Sequence, residues 1–109
     1  MEYVPDRGDI IWLNFTPQSG REQAGHRPAL VLSPKEYNRK TGLALMCPMT
    51  THAKGYPFEV ELAPDSIVLS DHLKNLDWKT RKATYKGKVA TAKLKEVMGK
   101  ISALLMIEE

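Results

Sequence analysis

Two polar clusters could carry chemistry: Glu22, His26 and Arg27 ahead of one apolar run, and Thr50, Thr51, His52 and Lys54 after another. The set is cationic and hydroxylic, which suits a phosphodiester. An arginine grips two phosphate oxygens and holds negative charge as it develops, while a threonine hydroxyl adds a hydrogen bond to the same oxygens. RNA brings its own nucleophile, the 2′-OH. Each residue also has an ordinary reading: Arg27 as the ion-pair partner of Glu22, Thr50 and Thr51 as strand-end hydroxyls, and His26, His52 and His72 as surface or hydrogen-bonded histidines. A third group sets Lys74, Lys79, Arg81 and Lys82 around Trp78. Rings interleaved with cations are what single-stranded nucleic acid binds, whereas Trp12 reads as a core or interface residue. No Gly-rich phosphate cradle, nucleophile elbow or His/Cys/Glu metal motif occurs, so no metal and no cofactor is expected.

These side chains need elements to position them. Asp9–Phe15 is rich in β-branched and aromatic residues and follows the turn Asp6-Arg7-Gly8, so it reads as a first strand. Thr16–Gly25 is polar and without apolar period, the pattern of a mobile loop. Pro28–Ser33 is a buried-type strand, with Gly42–Met49 as its hairpin partner across Asn38–Gly42, and Pro48 is expected to break that pairing or sit at an edge. In Tyr56–Leu62 the residues Phe58, Val60 and Leu62 alternate with Glu59 and Glu61, marking a half-buried strand. Ile67–Ser70, His72–Trp78 and Ala83–Val89 supply further short strands. Leu94, Val97, Met98, Ile101, Leu104 and Leu105 then recur at three- and four-residue steps behind Thr91 as N-cap, predicting one terminal helix whose stripe is core. The fold class is mainly β with a C-terminal helix: a small SH3-like barrel or strongly curved antiparallel sheet.

A length of 109 residues fits one domain, and 42% hydrophobic with 27% charged residues is ordinary globular usage. No apolar run approaches the ~18–20 residues of a membrane span, and the start Met1-Glu2 does not resemble a signal peptide, so a cytoplasmic protein is expected. A lone Cys47 sets aside an internal disulfide. The net charge of +3 is unevenly spread: residues 1–73 hold seven Lys/Arg against nine Asp/Glu, and residues 74–109 hold nine against four. A basic second part favours a polyanionic partner.

The run Glu22-Gln23-Ala24-Gly25-His26-Arg27-Pro28-Ala29-Leu30-Val31-Leu32-Ser33-Pro34 is followed by Tyr37-Asn38, by Cys47-Pro48-Met49-Thr50-Thr51 and by Lys54-Gly55-Tyr56-Pro57-Phe58-Glu59-Val60. Together with Tyr3-Val4-Pro5-Asp6, Gly8–Phe15 and Leu69-Ser70-Asp71-His72 through Trp78 and Arg81, these blocks closely resemble the MazF/PemK toxin family over residues 1–109 as a single endoribonuclease domain. The resemblance implies a CcdB/PemK-like curved sheet with a C-terminal helix, working as a homodimer. It implies a sequence-specific, metal-independent endoribonuclease that cleaves single-stranded mRNA by 2′-OH attack and arrests growth as the toxin of a toxin–antitoxin pair. Arg27 and Thr50 then match the catalytic arginine and threonine, and Glu22 an acidic loop residue that influences the site. His26, Thr51, Lys54, Asp71, His72, Lys74, Trp78, Lys79 and Arg81 are the expected RNA-binding residues. The implied partners are single-stranded RNA and an acidic antitoxin, with operator DNA bound through the antitoxin in the complex, and no membrane. Motion of Thr16–Gly25 is expected to control RNA entry, and an antitoxin tail to displace that loop over the basic stretch 74–88. Ala63-Pro64-Asp65-Ser66 looks shorter than in some relatives and His72 stands where other side chains occur, both in segments that read bases. The related toxin CcdB poisons gyrase and depends on a Trp-Gly-Ile ending. This chain ends Met106-Ile107-Glu108-Glu109, which favours the nuclease over a non-catalytic module that poisons gyrase or only engages an antitoxin.

Overall fold

A computed structural model describes residues 2–15 and 25–106. The elements run β1 (Asp9–Asn14), β2 (His26–Val31), α1 (Lys35–Thr41), β3 (Leu43–Thr50), β4 (Glu59–Ala63), β5 (Ser66–Leu69), β6 (Lys74–Asp77), β7 (Thr84–Lys88) and α2 (Thr91–Leu105). The strands form one sheet in the order β4-β5-β3-β2-β1-β7, with β6 paired to β3, and every pairing is antiparallel. The sheet is the curled half-barrel expected, with the terminal helix against one face.

Both faces of the central strands are covered. On one face Ile11, Leu13, Phe15, Ala29, Val31, Ala44, Met46 and Trp78 pack together; on the other Leu30, Leu32, Cys47, Met49, Val60 and Val68 meet Val97 and Ile101 of α2. Burial on both sides explains why β2 and β3 are continuous apolar runs, whereas β4, with Glu61 exposed between Val60 and Leu62, alternates. Each buried Leu, Ile or Val contributes about 1.5–3 kcal/mol, against about 0–1 kcal/mol for an exposed ion pair such as Glu36–Lys40. Sheet packing, not surface charge, holds the strand ends in place.

Four expectations need correction. Lys35–Thr41 is a helix rather than part of a hairpin turn; seven residues carry too little periodicity to be read, and Gly42 ends it at φ 74°. Its Asn38 is fully buried: Nδ2 donates to the carbonyls of Pro5 (2.8 Å) and Ser33 (3.0 Å), and Oδ1 accepts from Ser33 Oγ. Pro48 is neither a break nor an edge, since it lies opposite Ala29 in the middle of the sheet. It is tolerated because β3 changes its outer partner there, from β6 at Leu43–Met46 to β5 at Met49–Thr50. Ala90, not Thr91, occupies the N-cap of α2, with no side-chain cap bond. Only Val97 and Ile101 of the α2 stripe are buried, while Met98, Leu104 and Leu105 are exposed.

The chain start is tied down by Asp9, which accepts from Tyr3 Oη (2.6 Å), Lys88 Nζ (2.8 Å) and the Asp6 N–H (2.9 Å). Burial works against its ionisation, but these hydrogen bonds and the charge of Lys88 outweigh it and hold the carboxyl below the usual carboxylate range.

Candidate functional site

Strand pairing brings the two sequence clusters together. In the β2–β3 ladder Val31, Leu30 and Ala29 oppose Met46, Cys47 and Pro48; the ladder ends there, and Arg27 and Thr50 each follow two residues beyond its last rung. On the other side of β2, Leu13 opposes Arg27 and Asn14 opposes His26. Arg27 therefore sits on the face of Ala29 and Val31, at the end where that face leaves the core and is half-buried. Thr50 Oγ1 accepts the His52 N–H at 3.2 Å, the bond by which β3 turns into the following loop.

A cleft of about 580 Å³ opens here, with His26, Arg27, Thr50, Thr51, Trp12 and Lys86 in its walls. Trp12 stacks on His26, with centroids 5.3 Å apart and planes 14° apart, and Lys86 Nζ lies 5.4 Å from its ring centroid. Neither Trp12 nor Lys86 was picked out as a site residue from sequence. Lys86 gets there through a β-bulge: Ile10 pairs with Gly87 and Ile11 with Tyr85, leaving the lysine between them without a rung. Its Lys86-Gly87-Lys88 context showed charge but not direction.

Beyond Thr50 the loop is held by Glu59, whose carboxylate accepts the N–H groups of Lys54 (3.0 and 3.1 Å) and Gly55 (3.0 Å). Gly55 takes φ 80°, a conformation favouring glycine. Lys100 Nζ of α2 bonds the Pro57 carbonyl at 2.5 Å, linking helix and loop. Glu59, read from sequence only as the polar side of a strand, is a loop anchor.

The basic residues around Trp78 do not form one patch. Trp78 is a correction: it is 5% exposed, its Nε1–H donates to the Asn38 carbonyl at 3.0 Å, and neither ring face is open to a base. Lys79 pairs with Glu2 at 3.1 Å, and Lys74 opens β6 opposite Met46. Arg81 lies nearer the cleft, where its side chain donates to the Asn14 carbonyl at 3.1 Å. Asp71 and His72 pair with one another at 3.7 Å in the turn after β5, outside the cleft wall. Lys54 is exposed on the Glu59-held loop. Glu22 and residues 16–24 of the expected mobile loop lie outside the described residues, as does the Glu22 end of the ion pair considered for Arg27. The two ends of that segment meet, Phe15 N–H donating to the Gly25 carbonyl at 2.9 Å.

Chemically the cleft offers hydrogen-bond donors and positive charge. Burial, then the charge of Asp71, pushes the Cys47 thiol up to about 12, so it is no nucleophile at neutral pH. Among the described residues no three His, Cys, Asp or Glu side chains are grouped as metal ligands, and no helix is long and apolar enough to cross a membrane.

A half-barrel sheet with one helix against it and an Arg–Thr cleft at the end of its central strands defines a toxin fold. The chain belongs to the family described as PemK-like, MazF-like toxin of type II toxin–antitoxin system, which it matches over residues 6–105. It is 53% identical over 106 residues to the endoribonuclease toxin MazF of Escherichia coli (strain K12), covering 94% of this chain and 96% of that protein. The endoribonuclease toxin ChpB of the same organism is 33% identical over 109 residues, covering 92% of this chain and 93% of that one. The crystal structure of MazF from Deinococcus radiodurans superposes with a TM-score of 0.89 at 53% identity, covering 95% and 98% of the two chains. A MazE–MazF structure from that organism superposes at 0.88 with 51% identity, covering 98% and 100%.

Proposed function

We propose that this chain is a sequence-specific endoribonuclease that cleaves single-stranded RNA, mRNA above all, by 2′-OH attack and without a metal ion. Family membership and 53% identity to a MazF make it an endoribonuclease toxin of a toxin–antitoxin pair. The finer reading is carried by one observation: Arg27 and Thr50, from the ends of the adjoining strands β2 and β3, line the same cationic cleft. In the reaction the 2′-oxygen bonds to phosphorus as it loses its proton, the P–O5′ bond breaks, and the departing 5′-oxygen takes up a proton. Products are a 2′,3′-cyclic phosphate and a 5′-hydroxyl. The Arg27 guanidinium holds the charge that builds on the equatorial oxygens, and the Thr50 hydroxyl donates to one of them. Glu22, five residues before Arg27 in the sequence, supports the active arrangement.

An acidic antitoxin neutralises the protein by covering the cleft, and operator DNA is engaged through that antitoxin. The chain works as a homodimer, supported by the apolar surface left on α2 and beside it, where Leu73, Met98, Leu105 and Met106 are 38%, 40%, 71% and 67% exposed. The test is purified protein with a long, mixed-sequence single-stranded RNA in EDTA, with the ends mapped. Cleavage at a recurring short sequence with cyclic-phosphate and 5′-hydroxyl ends is expected. No cleavage, a requirement for divalent metal, or 5′-phosphate products overturns the reading.

A further inference from the structure

Trp12 is an aromatic ring presented at the wall of the cleft with one side already fixed. Because β1 lies between β2 and β7, His26 reaches the indole from the β2 side and Lys86 from the β7 side. The histidine contact is a near-parallel stack, 14° between planes, which sets the ring's orientation. The lysine contact is of another kind: a single ammonium 5.4 Å from the centroid, on an exposed side chain that the bulge leaves outside the ladder. Among the described residues Lys86 has no carboxylate partner, although its neighbour Lys88 is tied to Asp9 at 2.8 Å. The cleft thus holds an indole with His26 stacked on it and, among the described residues, one displaceable cation set against it, and Arg27 and Thr50 line the same cleft.

We propose that Trp12 and Lys86 form a nucleobase-plus-phosphate subsite of this nuclease: a base of the RNA strand takes the place of Lys86 on the indole, and the freed ammonium turns to a phosphate flanking that base. A base offers a whole π-face where the ammonium offers one charge, so stacking displaces it. The charge is not lost, because an extended strand carries a phosphate beside every base and an exposed lysine stem is long enough to change partners. His26 keeps the indole from turning as the exchange occurs. Stacking reads no base edge, so the subsite contributes affinity and register along the strand while sequence choice lies elsewhere in the cleft. The subsite rests on the nuclease reading above.

The probe is a mixed-sequence pool of single-stranded DNA 12-mers, which lack the 2′-OH and are not cleaved. Titration should quench the tryptophan emission of the wild type. In Trp12→Leu that quench should vanish and affinity should fall about tenfold or more, while Trp12→Tyr retains most of the affinity. Lys86→Gln, a surface change, should lower the slope of log K against log salt by about 0.7. Circular dichroism of each variant reports folding, and Lys86→Gln keeps the test decisive if Trp12→Leu unfolds. Binding of folded Trp12→Leu within twofold of wild type overturns the subsite, as does an unchanged salt slope in Lys86→Gln. Quenching by an acidic, aromatic-containing peptide but not by the 12-mers also overturns it, by making the site a protein contact. If the wild type cleaves RNA and these variants bind as it does, the subsite alone fails. If Trp12-dependent binding is found but no RNA is cleaved, the nuclease reading alone fails.

Discussion

Arg27 and Thr50 line one cleft just beyond the last β2–β3 rung, Ala29–Pro48. Under the proposed mechanism both side chains act on one phosphate, so their contributions to the transition state must be coupled. Arg27→Ala removes a charged donor from the developing oxyanion, costing about 2.7–4 kcal/mol, or about 10²–10³ in the rate of the chemical step. Thr50→Val keeps the shape and removes one hydrogen bond to a charged oxygen, about 1.5–3 kcal/mol. Among the described residues the hydroxyl accepts from the exposed His52 N–H, which water satisfies once the hydroxyl is gone, so folding loses little. Independent action would give the double variant the full product of the two losses. With one shared phosphate the double variant should fall short of that product by about 1–2 kcal/mol, roughly 5- to 30-fold. Single-turnover cleavage of an end-labelled RNA by all four proteins measures the difference, with thermal melts to check folding. Losses that add within about 0.3 kcal/mol would mean that the two residues serve different groups, and the shared-phosphate mechanism would be wrong.

Three further outcomes follow from the packing. Asp9 has a folded pKa below its unfolded value near 3.9, so its contribution is present above that pH and lost as pH falls through the folded value; Asp9→Asn should lower Tm at pH 7 and flatten the Tm decline below about pH 4, and an unchanged acid limb would refute the role given to Lys88 and Tyr3. Cys47, fully buried with its thiol pushed up to about 12, should resist iodoacetamide at pH 8 in the folded protein and react at once in denaturant; rapid labelling of native protein would contradict the packing of β3. Trp78→Phe deletes the donor to the buried Asn38 carbonyl and some ring volume, costing about 1–3 kcal/mol in urea unfolding, while the folded variant should bind single strands as wild type does; a loss of binding without a loss of stability would return Trp78 to the binding surface.

Strand content was legible because its signals are local. The β-branched and aromatic run of β1, the alternation of β4 and the 3–4 spacing of α2 each declare themselves within a few residues. Elements defined by tertiary partners were not. Helix α1 has seven residues and depends on Asn38 reaching Pro5, 33 positions away. Pro48 is harmless only because β3 changes neighbours beside it. The Arg27 and Thr50 blocks stood out as polar clusters at strand ends, but their meeting depends on a register that no local pattern encodes. Trp78 and Trp12 exchanged roles for the same reason. Flanking charge marked Trp78, yet the fold turns its ring inward and puts Trp12 at the cleft wall.

The change of partner along β3 divides the sheet into parts that can vary separately. The β4–β5 hairpin joins the rest of the sheet through two rungs, Met49–Val68 and Thr50–Ile67, and its Pro64-Asp65 turn, with Asp65 at φ 62°, brings Asp65 and Ser66 to the cleft rim. Residues inserted at that turn lengthen one wall of the cleft without moving the β2–β3 ladder from whose end Arg27 and Thr50 extend. On the nuclease reading proposed above, reaction and target sit on separate segments, so remodelling the hairpin is expected to change the target sequence while cleavage goes on unimpaired.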